Sequence, residues 1–178
     1  NAAEAANKTG YHYESGYRFM SNFLRVNYKL FNKYIFAFSI RNDGSSRFGQ
    51  NKRYGWFPAV SAGWIVSDEK FLEGFKALSY LKLRASYGLT GNANIGDFAY
   101  LGVYYAGNGY AGNPGLIPGT LPNPDLSWEK SKQLDVTLDW GFFKNRLSGA
   151  VTYYFKRTTD MLMQLSLPTS TGYSYIWQ

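Results

Sequence analysis

The 178-residue sequence has no cysteine, which excludes disulfides and thiolate metal sites. It has one histidine, His12. That is too few for an imidazole metal cluster and, with no cysteine, no basis for a catalytic triad. No stretch approaches the roughly 18 consecutive apolar residues of a membrane-crossing helix. This gap does not exclude a membrane, because barrel strands alternate and keep the average hydropathy low. The opening Asn1-Ala2-Ala3-Glu4-Ala5-Ala6 has neither the basic start nor the apolar core of an export leader, so the true N-terminus of an exported chain is expected to lie elsewhere. A basic patch is also missing. The net charge is +7, but the positives are scattered singly, as at Arg25, Lys29, Arg41, Lys82 and Arg84, which argues against nucleic-acid binding.

What is abundant is aromatic and glycine residues: 16 Tyr, 13 Phe, 5 Trp and 19 Gly. That mixture suits a barrel with an apolar outside and a wet inside. The order of the residues supports it, because period-two alternation recurs six times. Leu24, Val26, Tyr28 and Leu30 oppose Phe23, Arg25, Asn27 and Lys29, and Phe31-Asn32-Lys33 reads as a tight turn. Tyr34, Phe36, Phe38 and Ile40 then oppose Ile35, Ala37, Ser39 and Arg41. A third strand sets Val60, Ala62, Trp64 and Val66 against Ala59, Ser61 and Gly63. A fourth sets Leu81, Leu83, Ala85, Tyr87 and Leu89 against Lys82, Arg84, Ser86 and Gly88. The fifth and sixth place Leu134, Val136, Leu138, Trp140 and Phe142, then Leu147, Gly149, Val151, Tyr153 and Phe155, on the apolar side.

Between these strands, residues 43–55 read as a solvated loop, and 67–74 as one helical turn capped by Ser67 and stopped by Gly74. Residues 90–125 read as the longest irregular stretch, rich in Gly, Asn and Pro. Links thus alternate short and long, and the apolar faces run eight to ten residues, both traits of transmembrane barrels. The sequence therefore predicts an all-β fold: an antiparallel meander of about six transmembrane strands. Tyr28, Tyr34, Trp64, Tyr87, Trp140 and Tyr153 are expected to face lipid or the membrane interface.

Three motif matches carry no chemistry. Gly107-Asn108-Gly109-Tyr110-Ala111-Gly112 matches a dinucleotide fingerprint, but Asn113-Pro114-Gly115 blocks the helix that must follow. Ser67-Asp68-Glu69-Lys70 matches the Ser-x-x-Lys of penicillin-binding enzymes without their companion motifs. Asp135 and Asp139 share one strand face, whereas glycoside hydrolysis needs carboxylates across a cleft. No enzyme, metal or cofactor is expected.

Several blocks resemble the SusC/RagA family of TonB-dependent transporters. They are Arg25-Val26-Asn27-Tyr28, Ser39 through Gly49, Trp56-Phe57-Pro58-Ala59-Val60-Ser61-Ala62-Gly63-Trp64, Leu81 through Gly88, Gly91-Asn92, Asn123 through Lys130, and Asp160-Met161-Leu162. They keep the family's order from about residue 17 to 175. The resemblance implies a segment of a 22-stranded barrel in the outer membrane of Bacteroidetes-type bacteria, embedded in outer-membrane lipid. It also implies an interior plug, a SusD-like surface lipoprotein as lid, energy from TonB–ExbB–ExbD, and a glycan or peptide as cargo. Twenty-two strands at this spacing need about 650 residues, so residues 1–178 are expected to be a fragment of the barrel domain, without plug, leader or closing strands.

On that footing Arg25, Lys29, Arg41, Lys82, Arg84, Asp135 and Asp139 are expected to face the lumen, where buried charges need partners. Tyr104, Tyr105 and Tyr110 are the loop aromatics expected to meet substrate or lid, with packing inside the loop as the alternative. The competing functions are a soluble β-rich carbohydrate-binding module and an outer-membrane protein of another kind, an adhesin or secretion pore.

Overall fold

The computed structural model describes residues 14–110 and 113–178; His12 lies outside them. Its frame is one six-stranded antiparallel sheet. β1 (Phe19–Leu30), β2 (Tyr34–Ser45), β3 (Tyr54–Ile65), β4 (Leu78–Asn92), β7 (Glu129–Phe142) and β8 (Leu147–Thr159) are paired in that order. The six strands carry the six alternating patterns, and each runs 12 to 15 residues. A smaller sheet joins β5 (Val103–Tyr110), β6 (Asn113–Leu121), β10 (Tyr175–Trp177) and β9 (Gln164–Ser166).

The tight links of the large sheet, β1–β2 and β7–β8, lie at one end. Phe31 and Asn32 both adopt positive φ, 47° and 59°, and the Lys33 amide donates to the Leu30 carbonyl at 3.1 Å. Two successive left-handed residues match the strand twist of a hairpin, and Asn32 tolerates that region far better than Phe31 does. Phe143, Lys144 and Asn145 repeat the device between β7 and β8.

Register sorts the side chains onto two chemically distinct faces. One row crosses the sheet as Val26, Phe38, Val60, Tyr87, Leu134, Phe155. The next outward row is Tyr28, Phe36, Ala62, Ala85, Val136, Tyr153. On the opposite face the corresponding rows are Arg25, Ser39, Ala59, Gly88, Gln133, Lys156 and Lys29, Ile35, Gly63, Arg84, Thr137, Thr152. The apolar face is open: Val26, Tyr28, Val60, Val151, Tyr153 and Phe155 are each at least half exposed. A continuous apolar surface spanning six strands is far beyond what soluble monomers leave in water.

The buried core sits at the long-link end instead. Phe48, Phe57, Ile95, Leu126 and Trp128 form it, with Leu89, Ala93, Tyr100 and Trp177 packed around. This corrects the sequence reading at three places. Residues 43–55 are not a solvated loop: β2 runs on through Asp43, Gly44 and Ser45, all buried, and Phe48 is fully enclosed beneath Trp128. Residues 90–125 are not irregular throughout, since β4 continues to Asn92 and a β5–β6 hairpin follows. Residues 67–74 form two 3₁₀ turns, Val66–Asp68 and Lys70–Leu72, neither with a side-chain cap. The Ser67 hydroxyl turns to Asp68 at 3.3 Å, and Glu69 is held elsewhere.

Glu69 explains that local path. Its carboxylate accepts from the Tyr34 hydroxyl at 2.8 Å, the Trp64 indole N–H at 3.1 Å and Lys33 Nζ at 3.3 Å. These bonds, the Tyr34 and Trp64 bonds foremost, hold its carboxyl below the usual carboxylate range. Tyr34 and Trp64 stack beside it, ring centroids 6.4 Å apart. Trp140, Phe142 and Phe143 form a second aromatic group at the same end of the sheet. Amphipathic rings collected at the edge of an apolar band are the pattern of a membrane interface.

Candidate functional site

Two surfaces can carry function: the polar face of the large sheet and the platform built on its long-link end. On the polar face, period-two geometry puts Arg25, Lys29, Arg41, Lys82, Arg84, Asp135 and Asp139 on one side, as alternation requires. Register then decides which of them meet. Lys82 lies opposite Asp139 and Arg84 opposite Thr137, yet it is Arg84 that reaches diagonally to grip Asp139. Its Nε and Nη2 donate to the two carboxylate oxygens at 2.7 and 3.1 Å, a bidentate fork that fixes orientation.

Asp135 accepts from Gln133 at 2.9 and 3.1 Å and from the Ser86 hydroxyl at 3.5 Å. Arg41 pairs with Asp43 at 2.7 Å, and Ser21 donates to the other oxygen of Asp43 at 2.6 Å. Asp43 is 1% exposed, so a charge there depends on these partners. The Arg41 guanidinium also lies 5.7 Å from the Phe57 ring centre. Arg25 bonds Asn27, at 3.2 Å. Among the described residues Lys29 and Lys82 have no ion-pair partner. Small residues, Ser61, Gly63 and Ser86, leave a trough of about 410 Å³ in front of Lys82, Arg84 and Asp135.

The platform rises from the loop-end core. Trp128 anchors it, its indole N–H donating to the Arg53 carbonyl at 2.9 Å and its ring 5.0 Å from Phe48 and 5.4 Å from Phe57. Gly91 lets the Phe57 ring lie directly against β4, where a Cβ would come within 2.1 Å of it. Arg47 ties the next turn down: it pairs with Asp97 at 2.9 Å, donates to the Ala93 carbonyl at 3.1 Å, and covers the Tyr17 ring at 3.9 Å. Asp97 also accepts from Ser15. The Ser15 and Arg47 bonds lower its carboxyl below the usual range. Asn123 joins the two strand systems, its side-chain amide donating to the Trp177 carbonyl at 2.7 Å.

The three loop tyrosines fall on the β5–β6 hairpin but not in one place. Tyr104 pairs with Pro118 and Tyr105 with Ile117 across the hairpin, while Tyr110 is the last residue of β5, opposite Asn113. The Tyr105 ring lies on Gly119, where a Cβ would stand 2.1 Å from it. Tyr104 is 59% exposed, and its hydroxyl bonds Tyr173, raising the Tyr173 phenol. Sequence reasoning missed the anchors of this platform, Phe48, Ile95, Leu126 and Trp128. No group of three or more His, Cys, Asp or Glu that could hold a metal occurs among the described residues.

Comparison with known proteins places this architecture. The TonB dependent receptor-like β-barrel family matches over residues 2–178. The TonB-dependent receptor SusC of Bacteroides thetaiotaomicron is 41% identical over 162 residues, covering 87% of this chain and 16% of the relative. The TonB-dependent receptor P39 of Formosa agariphila is 43% identical over 156 residues, covering 88% of this chain and 15% of the relative. Among solved structures, the RagAB peptide importer in its closed-closed state aligns at a TM-score of 0.86 and 38% identity, covering 98% of this chain and 20% of that one. The chain thus spans about a sixth of the length of the curated relatives it matches.

Proposed function

Because the chain belongs to the TonB-dependent receptor β-barrel family, whose barrels sit in the bacterial outer membrane, we propose that it supplies six consecutive strands of a 22-stranded, energy-coupled nutrient importer. The observation that carries this reading is the two-faced sheet. One face is a band of side chains suited to hydrocarbon, and the other is a charged, hydrogen-bonded wall suited to a wet interior.

In this reading Arg25, Lys29, Arg41, Lys82, Arg84, Asp135 and Asp139 line the lumen. Asp139 and Asp43 are already neutralised by Arg84 and Arg41. Lys29 and Lys82 remain for acids of an interior plug, whose movement TonB–ExbB–ExbD would drive. The hairpin bearing Tyr104, Tyr105 and Tyr110 faces the outside, where a SusD-like lipoprotein would cap the barrel and deliver cargo. The cargo class is a glycan or a peptide: the former is what the resemblance to the SusC/RagA family implies, and the latter follows the likeness to the RagAB peptide importer.

The test uses the full-length protein in its own cells. Uptake of a labelled oligosaccharide and a labelled oligopeptide is followed with and without a protonophore. Energy-dependent uptake of one of them, lost on deleting the gene and restored by complementation, is the expected result. Uptake that survives loss of the proton gradient, or no dependence on the gene for either cargo, would overturn the importer reading.

A further inference from the structure

The apolar face ends differently on its two sides. Toward the tight turns it closes in aromatic rings. Toward the long links, on β7 and β8, it closes in two cations. The outward residues of β7 run Phe142, Trp140, Leu138, Val136, Leu134 and then Lys132. Those of β8 run Leu147, Gly149, Val151, Tyr153, Phe155 and then Arg157. Leu134 and Phe155 are register partners, and one step further out so are Lys132 and Arg157.

Like charges directly opposite one another on a sheet repel, and among the described residues nothing on this face relieves the pair. Across from Lys132 on the other side is Leu89. The nearest outward neighbour along β7, Lys130, already uses Asp160, at 3.3 Å. Among the described residues neither Lys132 nor Arg157 has an ion-pair or hydrogen-bond partner, and both are exposed. By contrast Lys33, at the opposite end of the sheet, is paired with Glu69.

We propose that Lys132 and Arg157 together bind the phosphate of a lipid with a net anionic headgroup in the long-link leaflet. The apolar stems of both side chains continue the hydrocarbon-facing band, and their charged ends emerge at headgroup depth. A phosphate oxygen between the two cations turns repulsion into two charge-assisted hydrogen bonds, with the Arg157 fork suited to a bidentate contact. The lipid is the source, rather than free phosphate, because the site is continuous with Leu134 and Phe155, against which acyl chains would lie. The inference rests on the lipid-facing side of the sheet and not on what the barrel imports.

The experiment is native mass spectrometry of the full-length protein in detergent, with phosphatidylglycerol and phosphatidylcholine of matched acyl chains added at equal concentration. The wild type is expected to retain phosphatidylglycerol preferentially. The Lys132→Gln/Arg157→Gln variant is expected to lose that preference by on the order of tenfold, given the attraction of each near-surface cation for anionic headgroups. Lys132→Arg should keep it, as should Lys144→Gln at the tight-turn end. An unchanged preference in the double variant, or displacement of the lipid by equimolar inorganic phosphate, overturns the proposal. Heat-modifiable migration of each variant reports an intact barrel, and the single Gln variants, each expected to lose part of the preference, carry the test if the double variant fails to fold.

Discussion

Replacing Trp128 by alanine probes whether the long-link platform is a folded unit held on one aromatic anchor. Trp128 is 3% exposed and contacts the rings of Phe19, Phe48 and Phe57. Truncating a buried large aromatic costs about 3–5 kcal/mol, and the Arg53 carbonyl loses one of its two donors, keeping the Ser45 amide at 3.0 Å. Opening of the platform should therefore become easier by roughly two to three orders of magnitude, at about 1.4 kcal/mol per tenfold. The strands, stabilised by ladder hydrogen bonds and by lipid, should be unaffected. Hydrogen exchange of the full-length protein reads both: protection should fall across residues 93–102 and 122–128, with β4 and β7 amides unchanged. Trp128→Phe, which keeps much of the ring packing but drops the bond to Arg53, should lie between, at about 1–2 kcal/mol. Unchanged protection in Trp128→Ala, or loss spreading first through β7, would refute the idea of a separately anchored platform.

Other outcomes follow from the same geometry. Gly49→Ala puts a Cβ 2.1 Å from the Pro124 carbonyl oxygen, a backbone atom with little room to yield; limited proteolysis should then cut within residues 46–53 or 122–128 of the variant and spare them in the wild type. The lowered Asp97 carboxyl means the Arg47–Asp97 tether contributes above the unfolded carboxylate pKa and is lost as pH falls through the lower folded value. Extra loop protection in the wild type over Asp97→Asn should thus hold at neutral pH and vanish as the pH falls below the ordinary carboxylate range and through the lower folded value. Arg84→Gln leaves Asp139 without its fork; the barrel should persist with a lower thermal midpoint, and Asp139→Asn in the same chain should restore part of the loss.

Which parts of this were legible in the sequence follows from where periodicity survives. Val26, Phe38, Val60, Tyr87 and Leu134 announce their face because their neighbours are polar or small, and all six long strands follow from that contrast. At the long-link end the contrast fails. Phe57 sits on the polar-face parity yet packs inward on Trp128, so alternation breaks where β3 begins. Phe48, Leu126 and Trp128 are isolated apolar residues among Gly, Asn, Ser and Pro. Nothing local reveals that Arg53 and Trp128, 75 residues apart, share a hydrogen bond. The charged face was legible as a face, but its pairs were not. Arg84 meets Asp139 on a diagonal that only register specifies, and Lys82, equally close in sequence, does not. The hairpin tyrosines show the same limit, since Tyr105 is committed to Gly119 and Tyr104 to Tyr173 by contacts with no sequence signature.

The most direct test of the two-faced sheet is a cysteine scan of residues 131–139 in the full-length protein, stripped of any native cysteines and reconstituted in lipid vesicles. Each single variant is exposed to a water-soluble maleimide and, separately, read with an environment-sensitive label quenched by brominated acyl chains. The expected result has period two: positions 133, 135 and 139 react from water, 131 and 137, buried against β8, react slowly and are not quenched, and 134, 136 and 138 are quenched from lipid. Uniform reactivity along β7, or the opposite phase, would contradict the account.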